Sequence, residues 1–113
     1  MTANFLKDGR LMNSWHTIET DELFEAILSL RSIDECYAFF EDVCTKKEIC
    51  EISQRLKVAK MLRAGVNYTT ICKETGASTA TISRVSKALE NGSGYKLVLE
   101  RADGTDSGEL IND

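Results

Sequence analysis

The pattern of residues Asn67–Leu89, NYTTICKETGASTATISRVSKAL, predicts two short helices joined by a tight turn. The first helix is predicted to start near Asn67, whose side chain can cap it. The turn is placed around Gly76, since glycine adopts a positive φ at no steric cost. The second helix is predicted to follow Ser78, whose hydroxyl can accept from the free N–H groups of the first turn.

The predicted second helix carries one apolar stripe. Ile82, Val85 and Leu89 are spaced i, i+3, i+7, which is the period of a helix with a single buried face. Ile71 and the small Cys72 give the first helix an apolar surface that can pack at close approach. A helix, a glycine turn and a second helix with one buried stripe form the helix-turn-helix pattern.

The outward positions of the second helix favour DNA. They are small, hydroxylated or basic, and no acidic residue lies between positions 75 and 89. A helix that enters a groove about 12 Å wide needs short side chains near its N-terminus and cations toward the phosphates. The alternative is an ordinary helical hairpin. The outward set consists of Ser78, Thr79, Ala80, Ser83, Arg84 and Lys87.

The net charge of −4 is unusual for a DNA-binding protein until it is divided along the chain. Between residues 53 and 89 seven bases accompany a single acid, a local charge of +6 that leaves −10 elsewhere. A basic segment on an acidic chain orients the protein, because repulsion elsewhere disfavours wrong approaches to the phosphates. The seven bases are Arg55, Lys57, Lys60, Arg63, Lys73, Arg84 and Lys87.

The length of 113 residues, with 42% hydrophobic and 28% charged residues and no proline, predicts one soluble domain. The sequence contains neither a membrane-length apolar run nor the apolar core of a signal peptide, so we expect a cytoplasmic protein. Its four cysteines form no C-x-x-C pair and lie among apolar helix positions, which predicts buried free thiols and no metal site. With one histidine and no ligand cluster, the chain lacks the groups that catalysis requires.

We expect an N-terminal arm over 1–18, a helical DNA-binding domain over 19–102 with the helix-turn-helix at 67–89, and a disordered acidic tail over 103–113. Ser32–Glu35 and Thr45–Glu48 both match a capping box, and each predicts a helix start. A last element over 95–102 is compatible with either a helix or a strand.

Three helices are predicted ahead of the helix-turn-helix. The first two have broad apolar and aromatic faces, which indicate a core or a dimer interface. The third is amphipathic, and its charged side is either a solvated surface or, next to a helix-turn-helix, a set of phosphate contacts. Its predicted apolar face consists of Ile49, Ile52, Leu56, Ala59 and Leu62.

The runs QRLKVAKML at 54–62 and GASTATISRVSK at 76–87 resemble the Trp repressor family. The string ETGASTATISRV at 74–85 is similar to the YerC/YecD-type branch of that family. The resemblance covers roughly residues 21–89. It implies an all-α bundle of about six helices that forms an intertwined homodimer with one helix-turn-helix in each subunit.

The resemblance also implies how DNA would be bound. Two recognition helices would enter successive major grooves of double-stranded DNA, about 34–36 Å apart, at a pseudo-palindromic operator. Base contacts, direct or through water, would come from Ser78, Thr79 and Ala80, and Ser83 would lie on the same face. The implied phosphate contacts are Asn67, Tyr68, Thr69, Thr70, Arg84 and Lys87.

In the Trp repressor, the tryptophan corepressor is held between two arginines, and a threonine and a glycine shape the pocket. Arg55, Arg84 and Thr45 match the arginines and the threonine, but Val85 stands at the glycine position. The valine isopropyl group would project where the indole ring must lie, and such overpacking costs about 1–3 kcal/mol. We therefore expect an unknown effector or none, rather than tryptophan, and no cofactor.

The sequence thus predicts a homodimeric, sequence-specific DNA-binding transcriptional regulator, most simply a repressor. The alternative is a protein-interaction or scaffolding module that uses the helix-turn-helix to dock onto protein. The basic segment argues against this alternative, because protein interfaces are depleted in lysine. An enzyme is not expected.

Overall fold

The computed structural model describes residues 15–104, in which six helices and no strand occur. The described residues divide between Thr45 and Lys46 into two compact units, the first with two helices and the second with four. The predicted all-α fold of about six helices is therefore confirmed. The helices are α1 (Ile18–Leu28), α2 (Ile33–Val43), α3 (Lys46–Arg63), α4 (Tyr68–Thr75), α5 (Thr79–Asn91) and α6 (Gly94–Ala102).

Side-chain caps start both helices of the first unit. The Thr20 amide donates to Thr17 Oγ1 at 3.2 Å, and the Thr17 amide donates to Thr20 Oγ1 at 2.8 Å. At α2 the Glu35 amide donates to Ser32 Oγ at 3.1 Å, as the predicted capping box requires. Its second bond differs, because Glu35 Oε1 accepts from the Arg31 amide at 2.8 Å instead of from the Ser32 amide.

The first unit has no buried residue in either helix, although both helices are rich in apolar side chains. Leu28 is 83% exposed, Ile33 is 75% exposed, and Phe24 and Tyr37 are also exposed. The prediction left open whether these faces form a core or an interface. Among the described residues they do not form a core, because no side chain of either helix is buried.

The core of the second unit lies where α3, α4, α5 and α6 pack together. The stripe predicted on α5 is confirmed, because Ile82 and Val85 are buried and Leu89 packs against them half-buried. Apolar atoms removed from water in this way stabilise a fold by about 25 cal/mol per Å². The buried side chains are Val58, Ala59, Ile71, Ala77, Ile82, Val85 and Leu99.

The predicted apolar face of α3 is partly wrong. Ala59 is buried and Leu56 and Leu62 pack against the core, but Ile52 is 52% exposed. Val58, which the predicted face omitted, has no exposed surface. The face is rotated and widened toward Val58 because α3 packs against three other helices of its unit, not one.

Gly65 ends α3 in a Schellman motif. The Val66 amide donates to the Met61 carbonyl at 3.0 Å, and the Gly65 amide donates to the Leu62 carbonyl at 3.0 Å. Gly65 has φ 85°, in the left-handed region that glycine occupies without strain. These bonds satisfy carbonyls at the end of α3 and turn the chain directly into α4.

The segment 95–102 is helical, which resolves the alternative that the sequence left open. Leu99 is buried and Tyr95 is half-buried, so residues spaced i, i+4 face the core. Asp103 caps the end of α6 and pairs with Arg63, the last residue of α3, at 3.2 Å between Oδ2 and Nη2. This exposed ion pair links the C-terminal ends of two helices of one unit.

The prediction of buried cysteines is wrong. All four are free thiols within the described residues, with Cys36 and Cys50 exposed and Cys44 and Cys72 half-buried. Three of them lie on α2, directly after it or early in α3, near exposed apolar side chains such as Tyr37, Val43 and Ile52. Cys72 alone packs against the core.

Two of the expected segments lie largely outside the described residues. Of the arm predicted over 1–18 the structure describes only the last residues, and α1 begins at Ile18. Of the tail predicted over 103–113 it describes 103 and 104. Among the described helices, none has the length and apolar character needed to cross a membrane.

Gly76 and Gly94 form a matched pair for testing the turn. A Cβ at either position would meet no atom within 4 Å, but only Gly76 has a positive φ, 75°. We expect Gly76→Ala to lower the free energy of unfolding by about 1–2 kcal/mol, because alanine is strained in the left-handed region. Gly94→Ala should raise it by about 0.4–1 kcal/mol by restricting the unfolded chain.

Urea unfolding measures the free energy of unfolding of both variants. The protein concentration is kept the same in all measurements, because self-association would shift the apparent stability. Equal effects of the two substitutions would contradict the assigned strain at Gly76.

Candidate nucleic-acid interface

The predicted cap at the start of α4 is confirmed. The Thr70 amide donates to Asn67 Oδ1 at 2.9 Å, and Asn67 has the extended backbone of an N-cap residue. This bond satisfies one of the donors that a helix leaves open at its first turn. Asn67, Tyr68 and Thr69 are exposed and Thr70 is half-buried, so the start of α4 is open to a ligand.

The turn between α4 and α5 is fixed by hydrogen bonds on both sides of Gly76. The Gly76 amide donates to the Cys72 carbonyl at 2.9 Å while its φ of 75° reverses the chain, as predicted. Thr75 Oγ1 donates to the Ile71 carbonyl at 2.7 Å and accepts from the Ala77 amide at 3.1 Å. Ala77 is buried, so the turn belongs to the core instead of lying loose on the surface.

Ser78 is the N-cap of α5, as predicted, and its hydroxyl forms the capping hydrogen bonds. Ser78 Oγ accepts from the Thr81 amide at 3.1 Å and donates to Thr81 Oγ1 at 3.1 Å. Beyond the cap, Thr79, Ala80 and Ser83 present short exposed side chains on the first two turns.

The outward positions predicted on α5 are all exposed, while its stripe at Ile82 and Val85 is buried. Ala80, Ser83, Arg84 and Lys87 are spaced i, i+3, i+4, i+7, which places them along one side of the helix. We call the six predicted outward residues, all of which are exposed, the outer face of α5: Ser78, Thr79, Ala80, Ser83, Arg84 and Lys87.

The electrostatics of this region favour anions. The first turns of α1, α2 and α3 each carry at least one acid, whereas those of α4, α5 and α6 carry none. The partial positive charge at the starts of α4 and α5 is therefore not offset by a carboxylate in the first turn of either helix. Arg84 and Lys87 on the outer face of α5, and Lys73 on α4, are exposed.

Arg63 differs from the other bases of the segment. The sequence placed it on the cationic side of α3 as a candidate phosphate contact. In the structure its guanidinium pairs with the Asp103 carboxylate at 3.2 Å, so its charge is locally neutralised. Only the fold shows this pairing, because the two residues are far apart in sequence.

Gln54 lies on α3 outside the apolar face that the sequence predicted. It is half-buried, and its Nε2 donates to the Thr75 carbonyl at 3.0 Å. The sequence contains a pattern that predicts this inward position. Gln54, Val58 and Met61 are spaced i, i+4, i+7 and form a second inward stripe on α3.

The residues of the predicted effector pocket differ in their exposure and in the unit to which they belong. Val85 is 1% exposed within the core, Arg55 is half-buried and Arg84 is exposed. Thr45 is the last residue of the first unit, outside the unit that holds the other three. The pocket remains a prediction, but the position of Val85 in the core means that its side chain is held in place by packing.

A sequence model of the Trp repressor protein family matches residues 18–103, which include all six helices. The chain belongs to the Trp repressor family. The relationship extends beyond the helix-turn-helix to α1 and α2, so the whole described fold is that of the family.

The similarity to the YerC-type branch is also confirmed. The chain is 52% identical over 90 residues to a protein of Bacillus subtilis (strain 168) described as uncharacterized protein YerC. The matched region covers 79% of this chain and 86% of the B. subtilis protein.

Two solved structures share the Trp repressor fold with this chain. A TrpR-like protein from Eubacterium eligens ATCC 27750 is 50% identical with a TM-score of 0.75, covering 86% of this chain and 95% of its own. A candidate Trp repressor from Staphylococcus aureus is 52% identical with a TM-score of 0.74, covering 77% of this chain and 88% of its own.

The cap at Asn67 can be tested with Asn91 as a control, because Asn91 is an asparagine at the end of a helix and not an N-cap. We expect Asn67→Ala to lower the free energy of unfolding by about 1 kcal/mol, because the Thr70 amide loses its acceptor. Asn91→Ala, at the exposed last position of α5, should change it by less than about 0.5 kcal/mol.

Thermal and urea unfolding give both values, and amide hydrogen exchange at Thr70 reports on the cap directly. The assignment is wrong if Asn67→Ala leaves both the stability and the Thr70 exchange rate unchanged.

Proposed function

We propose that this protein is a homodimeric, sequence-specific transcriptional repressor that binds a pseudo-palindromic operator through α4 and α5. Each subunit contributes one helix-turn-helix, and α5 enters the major groove. The double-stranded DNA is the partner, and the protein performs no catalysis.

The observation that carries this proposal is the division of α5 into two faces. Ile82 and Val85 are buried in the core with residues of α3 and α4, while every residue of the outer face is exposed and none is acidic. Short side chains at Thr79, Ala80 and Ser83 let the helix approach base edges closely. Arg84 and Lys87 follow one to two turns later, at a suitable place for phosphates.

The start of α4 supports a second set of phosphate contacts. Its first turn contains Tyr68, Thr69 and Thr70 after the Asn67 cap, and it has no carboxylate. Hydroxyl groups and N–H groups at a helix N-terminus are common donors to phosphate oxygens. Contacts from two helices fix the orientation of the protein on the duplex, which base recognition by α5 requires.

The exposed apolar faces of α1 and α2 support the homodimer. Side chains such as Leu28, Ile33 and Tyr37 are largely uncovered in the single chain. Exposed apolar surface of this kind marks an interface, and small helical chains commonly complete their core by dimerising. An intertwined dimer of the Trp repressor type would cover these faces and set the spacing of the two recognition helices.

Selection from random DNA with the purified protein, followed by sequencing, tests the function directly. The expected result is enrichment of a pseudo-palindrome whose half-sites lie about one helical turn apart. Absence of any enriched sequence, together with no nucleic acid after purification, would favour the protein-docking alternative.

The outer face of α5 can be tested by charge reversal. We expect Arg84→Glu combined with Lys87→Glu to lower affinity for the selected operator by at least about 100-fold, because four carboxylates per dimer would face the phosphates. Both side chains are exposed, so helicity should not change. Fluorescence anisotropy at fixed salt measures the affinity, and circular dichroism measures the helicity.

The matched control reverses two bases outside the basic segment. Lys46→Glu with Lys47→Glu makes the same change in net charge at exposed positions that open α3. Operator affinity should stay within about threefold of the unmodified protein. Equal loss in both variants would mean that net charge, and not the outer face of α5, governs binding.

Tryptophan is not expected to act as corepressor. We expect a saturating concentration to change operator affinity by less than about twofold, because Val85 would overlap an indole ring and such a clash costs about 10- to 100-fold in affinity. Anisotropy titrations with tryptophan and with leucine as a control measure this. An increase in affinity with tryptophan alone would contradict the assignment of Val85.

A further inference from the structure

Gln54 lies in the middle of α3, and its side chain reaches the helix-turn-helix turn. Its Nε2 donates to the Thr75 carbonyl oxygen at 3.0 Å, across 21 positions of sequence. Thr75 is the last residue of α4, so its carbonyl is one of those that a helix leaves without an intrahelical partner. This bond therefore ties the end of α4 to α3 at the point where the chain turns toward α5.

The Thr75 side chain holds the same turn from within. Its Oγ1 donates to the Ile71 carbonyl and accepts from the Ala77 amide, which fixes the local shape of the turn. These bonds involve only α4 and the turn itself. Of the hydrogen bonds described for this turn, the one from Gln54 joins it to a different helix.

A directional bond adds something that the apolar core cannot supply. Apolar burial is non-directional, so contacts of Ile71 and Ile82 with α3 allow small rotations of α4 and α5 at little cost. A hydrogen bond weakens steeply when its distance or angle changes. The bond from Gln54 thus selects one position of the turn, and hence of α5, among those that packing permits.

We infer that Gln54 is a positioning residue for operator recognition, an inference that rests on the proposed function. It holds the α4–α5 turn against α3 and so sets the angle at which α5 presents Thr79, Ala80 and Ser83 to base edges. A change in this angle moves the side chains relative to the base edges, and a hydrogen bond to a base weakens when its length changes by roughly a few tenths of an ångström. Charge attraction to phosphates, in contrast, acts over several ångströms. Gln54 therefore controls discrimination between operator and other DNA, and affects general DNA affinity little.

The surroundings of Gln54 provide a matched control. An open groove of about 490 Å³ runs beside it between α3 and α4. Ser53, the preceding residue, lines the same groove and is exposed. The full lining consists of Cys50, Ser53, Gln54, Lys57, Glu74 and Thr75.

Gln54→Met tests the inference, because methionine keeps the length and helix propensity of glutamine but has no donor. The ratio of operator affinity to random-sequence affinity should fall about 5- to 20-fold. Affinity for random DNA and the dependence of binding on salt should both stay within about twofold. Ser53→Ala should leave all three quantities unchanged.

Amide hydrogen exchange supplies a readout that a purely stabilising residue would not produce. In Gln54→Met the Gly76 and Ala77 amides should exchange about 5- to 20-fold faster, while the Ile82 amide in the body of α5 should not change. Gln54→Glu should behave like Gln54→Met, because an ionised carboxylate cannot donate to the Thr75 carbonyl.

The outcomes separate this inference from the function on which it rests. A wild-type protein that selects no DNA sequence overturns the proposed function before any variant is compared. Wild-type selection with an unchanged affinity ratio in both Gln54 variants overturns the positioning role. Loss of helicity in both variants, with operator and random-DNA affinity falling together, also overturns it, since Gln54 would then serve stability alone.

Discussion

The packing of α4 and α5 onto α3 is the contact on which the rest of the second unit depends. The two helices have 8 and 13 residues, lengths at which an isolated helix is marginal in water. They are stabilised because Ile71 and Ile82 are fully buried beside Val58 and Ala59 of α3. The small Ala59 leaves room for close approach. Without this apolar contact neither the turn at Gly76 nor the exposed face of α5 would have a fixed position.

This packing also explains why α5 can be specialised on its other side. Since the stripe at Ile82 and Val85 supplies the stabilising burial, the outer face needs no bulky side chain. It carries hydroxyls, an alanine and two cations, and α4 and α5 both begin without a carboxylate in the first turn. This division of one helix into a stabilising face and a polar face is what the proposed recognition of DNA by α5 requires.

The helices of the first unit, unlike α4 and α5, are not stabilised by buried side chains. Its helices are well capped, by Thr17 at α1 and by Ser32 at α2, yet neither contains a buried residue. Local signals therefore define the helices, while their apolar faces stay largely exposed among the residues that the structure describes. Cys36 on α2 is exposed as well. A homodimer that covers these faces would reconcile their composition with their exposure.

Local signals in the sequence are enough to predict the helix-turn-helix: the Asn67 and Ser78 caps, the glycine at position 76 and the helical period of the α5 stripe. The buried side of α3 follows instead from packing between helices, since a helix with three neighbours has a wider inward face than one periodic stripe predicts. The bonds between distant residues, from Gln54 to Thr75 and from Arg63 to Asp103, follow from the same packing. Such pairs depend on distances between helices, and no spacing along the chain encodes those distances.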